Sequence, residues 1–283
     1  MNQITFVLFS FNDAKRIKYL IRNVKNYGEV IVFDDHSEDN TQEVVESLGV
    51  KFIVRPKTLK RYIETEETLE FVKKHTQTSW IYWGWTDNLL TKNLLQKMEE
   101  LAKQTKYKRI FLPVYTYMWG NIAHPIMKAK YPNFFMKEYV SFKDNYIHHF
   151  GDFLGKPEEE LLLPYDPKAA IYHFSTYDVN KFVAAHMRYA NEEAQYKFES
   201  KTRKFSLGYT FGSMLNYFRL FFLNGGWRIG VIGFLNGLLF MFFRLMVATR
   251  LYELEHGISV EGQEQAYGKA KEQILTEIEN GQS

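Results

Sequence analysis

A chain of 283 residues has length enough for a sizeable core, and with no cysteine it builds neither a disulfide framework nor a thiolate metal site. Its net charge of +3 is too small to argue for a nucleic-acid partner. The opening MNQITFVLFSFNDAKR has no basic leader before its apolar run, so it reads as a first strand and not as a signal peptide.

Ile4–Phe9 is a short apolar run of the kind that fills a buried strand. Ile17, Leu20, Ile21 and Val24 then recur at helical spacing, and Gly28 marks the stop. Val30–Phe33 predicts a second strand. Asp39, with Gln42 three residues on, reads as a capping box for a helix carrying Val44, Val45 and Leu48 and closed by Gly49. Lys51–Val54 predicts a third strand, residues 62–78 a helix and Trp80–Trp83 a fourth strand. Leu94, Leu95, Met98 and Leu101 predict another helix, and Arg109–Leu112 another strand. Strands separated by single helices imply an α/β fold, a mostly parallel sheet flanked by helices. In such sheets ligands bind beyond the carboxyl ends of the strands.

Residues 113–180 read as irregular, aromatic and rich in His. Residues 201–251 change character: they hold seven Lys or Arg, no Asp or Glu, and twelve aromatic residues. The tail 252–283 is polar and acidic, with an amphipathic patch at Ile274, Leu275 and Ile278. Ile229–Ala248 has the length of a bilayer span but contains Asn236 and Arg244, and an Arg at mid-helix costs about 2.5–3.5 kcal/mol to insert. Cations interleaved with aromatics and free of acidic partners fit amphipathic helices lying on an anionic membrane surface. A hairpin that enters or crosses the bilayer is the alternative.

The chemistry collects at three strand ends, in FVLFSFNDAKRI, EVIVFDDHSEDNT and WIYWGWTDNLL. Asp34 and Asp35 are adjacent, where each raises the cost of ionising the other, so they either cap the strand or serve something bound. No G-x-G-x-x-G follows the first strand, which removes the best support for a dinucleotide fold, and no G-K-[ST] is present to make a P-loop.

These three segments, in this order, resemble the inverting family-two glycosyltransferases of the GT-A (nucleotide-diphospho-sugar transferase) fold. IYHFS and GGWRIGVIG, followed by a long apolar stretch, resemble the lipopolysaccharide-core and lipid-linked β-glycosyltransferase branch of that family. The resemblance implies that Phe11 and Asn12 lie beside a nucleotide, that Asp35 accepts a hydrogen bond from the base, commonly uracil, and that Asp34 fixes the loop and ribose. A carboxylate is an acceptor-only group, suited to a base edge that presents an N–H. In WTDN the family pattern has acidic residues at the first and third positions. Here Trp85 takes the first, Asp87 keeps the third, and Asn88 stands where an acidic group is common. Asp87 would coordinate Mg2+ or Mn2+ on the diphosphate, and His173 would complete that site. The catalytic base falls in DNYIHHFGDF, where His148 and His149 stand in place of a His-Glu pair, leaving His149 or Asp152 as candidates. Trp83, Trp85, Tyr115, Tyr117 and Trp119 are candidates for a stacking platform under a sugar, or for core.

The organisation expected is a glycosyltransferase domain over 1–200, divided into a nucleotide half 1–112 and an acceptor half 113–200. Membrane-associating helices over 201–251 and the polar tail follow. The implied function is transfer of a sugar from a nucleotide-sugar, commonly a UDP-sugar, to a lipid-linked or membrane-proximal glycan or glycolipid, on the cytoplasmic face of the cell membrane. Two rivals stand beside it: a nucleotidyltransferase, which would want a Gly-rich basic loop that SFNDAKR lacks, and a catalytically inactive relative that binds a glycan or scaffolds a membrane complex.

Overall fold

The computed structural model describes residues 3–57, 62–104, 106–143, 145, 150–175 and 178–281. The first half alternates strand and helix: β1 (Ile4–Ser10), α1 (Ala14–Val24), β2 (Glu29–Asp34), α2 (Thr41–Ser47), β3 (Lys51–Val54), α3 (Glu66–His75), β4 (Trp80–Trp85), β5 (Asn88–Leu90) and α4 (Lys92–Ala102). Then come β6 (Arg109–Met118), β7 (Met127–Met136), β8 (Val140–Ser141), β9 (Asp152–Phe153), β10 (Glu160–Leu162) and β11 (Ile171–Ser175). Four helices finish the chain: α5 (Val179–Glu199), α6 (Leu207–Leu223), α7 (Val231–Glu255) and α8 (Val260–Glu279).

Among the described residues, one mixed sheet runs in the order β3-β2-β1-β4-β7-β6-β11-β5, with β10 paired to β6, and β8 pairs separately with β9. β3, β2, β1 and β4 are mutually parallel, whereas β7 runs antiparallel to both β4 and β6. β1 is buried along its whole length, as a strand covered on both faces must be. Its alternate side chains divide between two cores. Ile4, Phe6 and Leu8 join Ile17, Leu20, Ile21 and Val24 of α1; Val7 and Phe9 join Ile31, Phe33, Trp83, and Leu69 and Val72 of α3. Gly28 lets the chain re-enter the sheet, because a Cβ there would sit 2.4 Å from the Ile4 carbonyl oxygen.

Three local expectations need correction. Asp39 builds no capping box; α2 starts at Thr41 with Asn40 as an N-cap that makes no side-chain cap bond. The helix expected over 62–78 is confined to Glu66–His75, because Thr65 caps it, its Oγ1 accepting from Thr68 N at 3.2 Å. Residues 113–180 are not irregular throughout: β6 continues to Met118, and β7 and β11 flank it over long registers. The aromatic and β-branched residues from Val114 to Tyr117 are strand formers that burial on the sheet rewards.

The chain forms two compact units, residues 1–182 with 220–236, and residues 183–219 with 237–283. The second unit is helical and centres on Arg244, which is buried. Its guanidinium meets both oxygens of Glu193 at 2.9 Å and donates to Ser213 Oγ at 2.8 Å. Burial works against ionising Glu193, but the charges of Arg244 and Lys197 outweigh it and hold the carboxyl below its usual range. In the first unit, the turn joining α6 to α7 needs Gly226, where a Cβ would meet the Phe221 ring. α7 is long and apolar enough to cross a membrane, with mean hydropathy 2.0 over its best window. α8 buries no residue.

Candidate active site

The parallel register sets Ser10 level with Asp34 and Phe9 level with Trp85, so the loops after β1, β2 and β4 share one edge of the sheet. Asp34, 1% exposed, accepts from Ser10 Oγ at 2.7 Å and from Ser37 N and Ser37 Oγ at 2.6 Å each. With three donors on it, this carboxylate holds the loop. Asn12 sits at φ 52, in the left-handed region that Asn tolerates. Its N–H donates to Ser37 Oγ, and its Oδ1 accepts from Glu38 N and Asp39 N. Phe11 stands exposed beside them.

Asp39 accepts from Thr41 N, from Thr41 Oγ1 and from Ala14 N. Burial opposes its ionisation, but these bonds prevail and hold the carboxyl below its usual range. Asp13, buried, takes a hydrogen bond from Thr86 Oγ1 at 2.6 Å and pairs with Arg16, tying the loop after β1 to the turn after β4. Asp35 differs from its neighbours. Its side chain is 43% exposed, and Oδ1 lies 3.0 Å from Nη2 of Arg55, whose own side chain is 3% exposed.

On the other side of the edge, β11 runs parallel to β6 and antiparallel to β5, which places His173 opposite Asn88. Asp87, 86 residues away in sequence, meets it: His173 Nε2 lies 3.1 Å from Asp87 Oδ2. Phe174 N donates to the Asp87 carbonyl at 2.9 Å and fixes the turn. Burial opposes both charges, yet each partner stabilises the other; Asp87 is held below the usual carboxylate range, helped by Arg16, and His173 is pushed up. Asp87 Oδ1 is buried with no hydrogen-bond partner, an acceptor left open in a place where open acceptors are costly. Trp85, in the position where an acidic residue was expected, packs edge-on against Phe150.

The remaining expected residues separate. Asp152 is exposed on β9, opposite Ser141, and among the described residues it makes no hydrogen bond to Asp87 or His173. His149, with His148 and Asp144, lies outside the described residues. Trp83 is no part of a platform; it is fully buried against Phe9 and Phe142. Tyr115 is buried too, while Tyr117 stacks on Phe174 at 5.9 Å. Trp119 occupies a tight turn with Gly120, both at positive φ, and donates its indole N–H to Asn236 Oδ1 at 2.9 Å. Sequence reasoning missed Asp13, Arg16 and Arg55. The i, i+3 spacing of Asp13 and Arg16 was a usable signal; nothing local distinguishes Arg55.

Residues 5–155 match the model of the family described as "Glycosyl transferase family 2". An "uncharacterized glycosyltransferase" of Rickettsia bellii is 26% identical over 260 residues, covering 89% of this chain and 87% of that protein. Its counterpart in Rickettsia conorii is 25% identical, covering 89% and 90%. Among solved structures, a mannosyltransferase from Pyrobaculum calidifontis in complex with GDP-Man and Mn2+ superposes with a TM-score of 0.47 at 12% identity, over 95% of this chain and 79% of that one. Glucosyl-3-phosphoglycerate synthase from Mycobacterium tuberculosis, in complex with Mn2+ and UDP-glucose, gives 0.31 at 18% identity, over 42% and 45%. With more than half its length matched and the strand-end loops of a GT-A fold in place, the chain belongs to glycosyl transferase family 2 and is a glycosyltransferase.

Proposed function

We propose that the enzyme is an inverting glycosyltransferase that moves a sugar from a UDP-sugar to a lipid-linked or membrane-proximal glycan. The observation that carries this reading is the meeting of Asp87 and His173 at the carboxyl edge of the sheet, with Asp87 Oδ1 buried and unpartnered. A divalent cation, Mg2+ or Mn2+, fits that open oxygen and the adjacent imidazole; bound there it stabilises charge on the leaving diphosphate. Asp87 and His173 would supply two ligands. No group of three or more His, Asp or Glu that could hold a metal occurs among the described residues, so a bound cation would take its remaining ligands from the substrate and water. Phe11, Asn12 and Asp35 form the nucleotide side, and Asp34 holds the loop that carries them.

Transfer is a single displacement. The acceptor oxygen forms a bond to the anomeric carbon while the bond from that carbon to the diphosphate oxygen breaks, its electron pair leaving with the diphosphate. The hydroxyl proton passes to a base from the segment that carries His149 and Asp152. The exposed position of Asp152 suits a group that meets an incoming acceptor.

The acceptor side is served by peripheral attachment to an anionic, cytoplasmic membrane surface. Around the α6–α7 turn, Phe222 and Leu223 at the end of α6, Trp227, and Val231, Phe234 and Leu235 at the start of α7 are exposed, with Arg228 among them. Interfacial binding combines such apolar burial with attraction of cations to anionic lipid. Crossing the bilayer is disfavoured by Arg244 in α7, which is committed to Glu193.

A panel of nucleotide sugars assayed with full-length protein and a membrane glycolipid fraction tests the reading. Release of UDP that stops in EDTA and returns with Mn2+ or Mg2+ is expected, together with a product of inverted anomeric configuration. Undiminished turnover in EDTA removes the metal, and a retained configuration removes the single displacement. Flotation with anionic vesicles, weakened by Trp227→Ser and only partly reversed by salt, is expected. Resistance to carbonate extraction points instead to a spanning helix.

A further inference from the structure

Asp34 and Asp35 differ in what remains free on each carboxylate. Asp34 is saturated by Ser10 and Ser37 and is 1% exposed, so it offers nothing to a ligand. Asp35 offers one oxygen. Its Oδ1 is engaged by Arg55 Nη2 at 3.0 Å, and among the described residues Arg55 is its one side-chain partner.

Arg55 is itself immobilised. It follows β3 directly, and its main-chain N–H donates to the Asp34 carbonyl at 3.0 Å. Its Nη1 donates to Thr68 Oγ1 at 3.1 Å, and Thr68 is buried in the first turn of α3. The guanidinium is buried, with Nε lacking a partner, so it cannot reach out to a ligand. Its effect on a ligand passes through Asp35.

We propose that Arg55 is a positioning residue that sets the base specificity of this glycosyltransferase by holding one oxygen of Asp35 inward, so that the carboxylate presents a single acceptor to the base. This rests on the nucleotide reading of Asp35 given above. A carboxylate with both oxygens free matches the paired N–H donors on the guanine edge; one with a single free oxygen matches the lone imide N–H of uracil. Cytosine places an acceptor where uracil has that N–H, and it faces the oxygen lone pair to lone pair. The arrangement therefore favours uridine nucleotides over both.

Asp35→Asn makes a sharp consequence. Arg55 has only donors and draws the amide oxygen of the new side chain inward, turning the NH2 outward. An outward donor rejects uracil and accepts cytosine. Removal of Arg55 frees the amide to turn either way and abolishes the preference.

Calorimetric titration of the full-length protein with UDP, CDP and GDP, with Mn2+ present, tests this. Wild type is expected to bind UDP at least about tenfold more tightly than CDP or GDP. In Asp35→Asn the CDP-to-UDP affinity ratio should rise by about tenfold or more, and in Asp35→Asn combined with Arg55→Met it should fall back toward one. Arg55→Lys should keep part of the wild-type preference, and Arg55→Met should lose it. Because Arg55 is buried, Thr68→Val serves as a milder release of the guanidinium and should lower the UDP-to-GDP ratio in a protein of normal fold by circular dichroism. If wild type binds UDP but Asp35→Asn retains its preference for UDP over CDP, or Thr68→Val leaves every ratio unchanged, the device is overturned and the nucleotide site stands. If wild type binds no nucleoside diphosphate, the nucleotide reading falls and takes this inference with it.

Discussion

The loops after β1 and β2 and the turn after β4 share an edge of the sheet but use their carboxylates in opposite ways. In the loops, Asp34 and Asp39 are each consumed by three local donors, and Asp13 is held by Thr86 and Arg16. At the turn, Asp87 meets His173 with one oxygen and leaves the other buried and open. A saturated carboxylate is framework: its hydrogen bonds are finished at folding. An unsaturated one stores a capacity for binding that folding did not use.

Four measurements would break or sharpen that distinction. The largest effect is expected at Glu193, whose carboxylate is consumed by a charge and not by neutral donors. Glu193→Ala leaves Arg244 buried and unpaired and should destabilise the helical unit by about 3–5 kcal/mol in denaturant unfolding. A loss below about 1 kcal/mol would mean that water already solvates Arg244.

Next is Glu64, a buried carboxyl that burial pushes up to about 7 although Arg55 pulls it down. Its folded pKa lies above the unfolded value, so the folded state keeps a proton that the unfolded chain releases. Its contribution is full below about pH 4.5 and is lost as pH rises through about 7, amounting to roughly 3 kcal/mol. Glu64→Gln should flatten the stability profile across this window, and an unchanged slope would show that Glu64 does not titrate there.

Asp87→Ala should lower turnover by about 100-fold, the scale of losing one preorganised electrostatic contact in a transition state, while the lost pairing costs only modest thermal stability because the His173 imidazole can shed its proton. A drop in stability without a drop in turnover would place Asp87 with the framework residues. The smallest effect belongs to Asp34→Asn, which turns one acceptor into a donor facing Ser10 and Ser37. It should cost about 1–2 kcal/mol of stability, and any loss of UDP affinity should follow from the disordered loop.

Much of the first half was legible in the sequence because its signals are local. The helical spacing of Ile17, Leu20, Ile21 and Val24 and the continuous apolar runs of β1 and β2 each report a buried face without knowledge of the partner. Asp87 and His173 were linked by resemblance, since nothing local joins residues 86 apart, and the structure brings them together. The β6–β7 ladder was missed because antiparallel pairing across an eight-residue connection is set by register, which leaves no periodic mark in the sequence. Asp39 misled for a different reason. Its spacing to Gln42 copies a capping box, but tertiary contact turned the carboxylate toward Ala14. Arg55 looked like any loop cation until β3 was laid beside β2.

The hydrogen bond from Trp119 to Asn236 fixes a length. Asn236 is fully buried in the second turn of α7 and grips the turn that closes β6, within the same unit as the sheet. A helix advances 1.5 Å per residue, so sliding it by even one residue would pull the amide out of reach of the indole. The contact therefore works as a gauge block, setting the start of an apolar helix at a constant offset from the sheet edge that holds Asp87. On the proposed reading of a surface-tethered acceptor, that fixed dimension sets the reach of the site, and reach, unlike affinity, cannot be recovered by raising concentration.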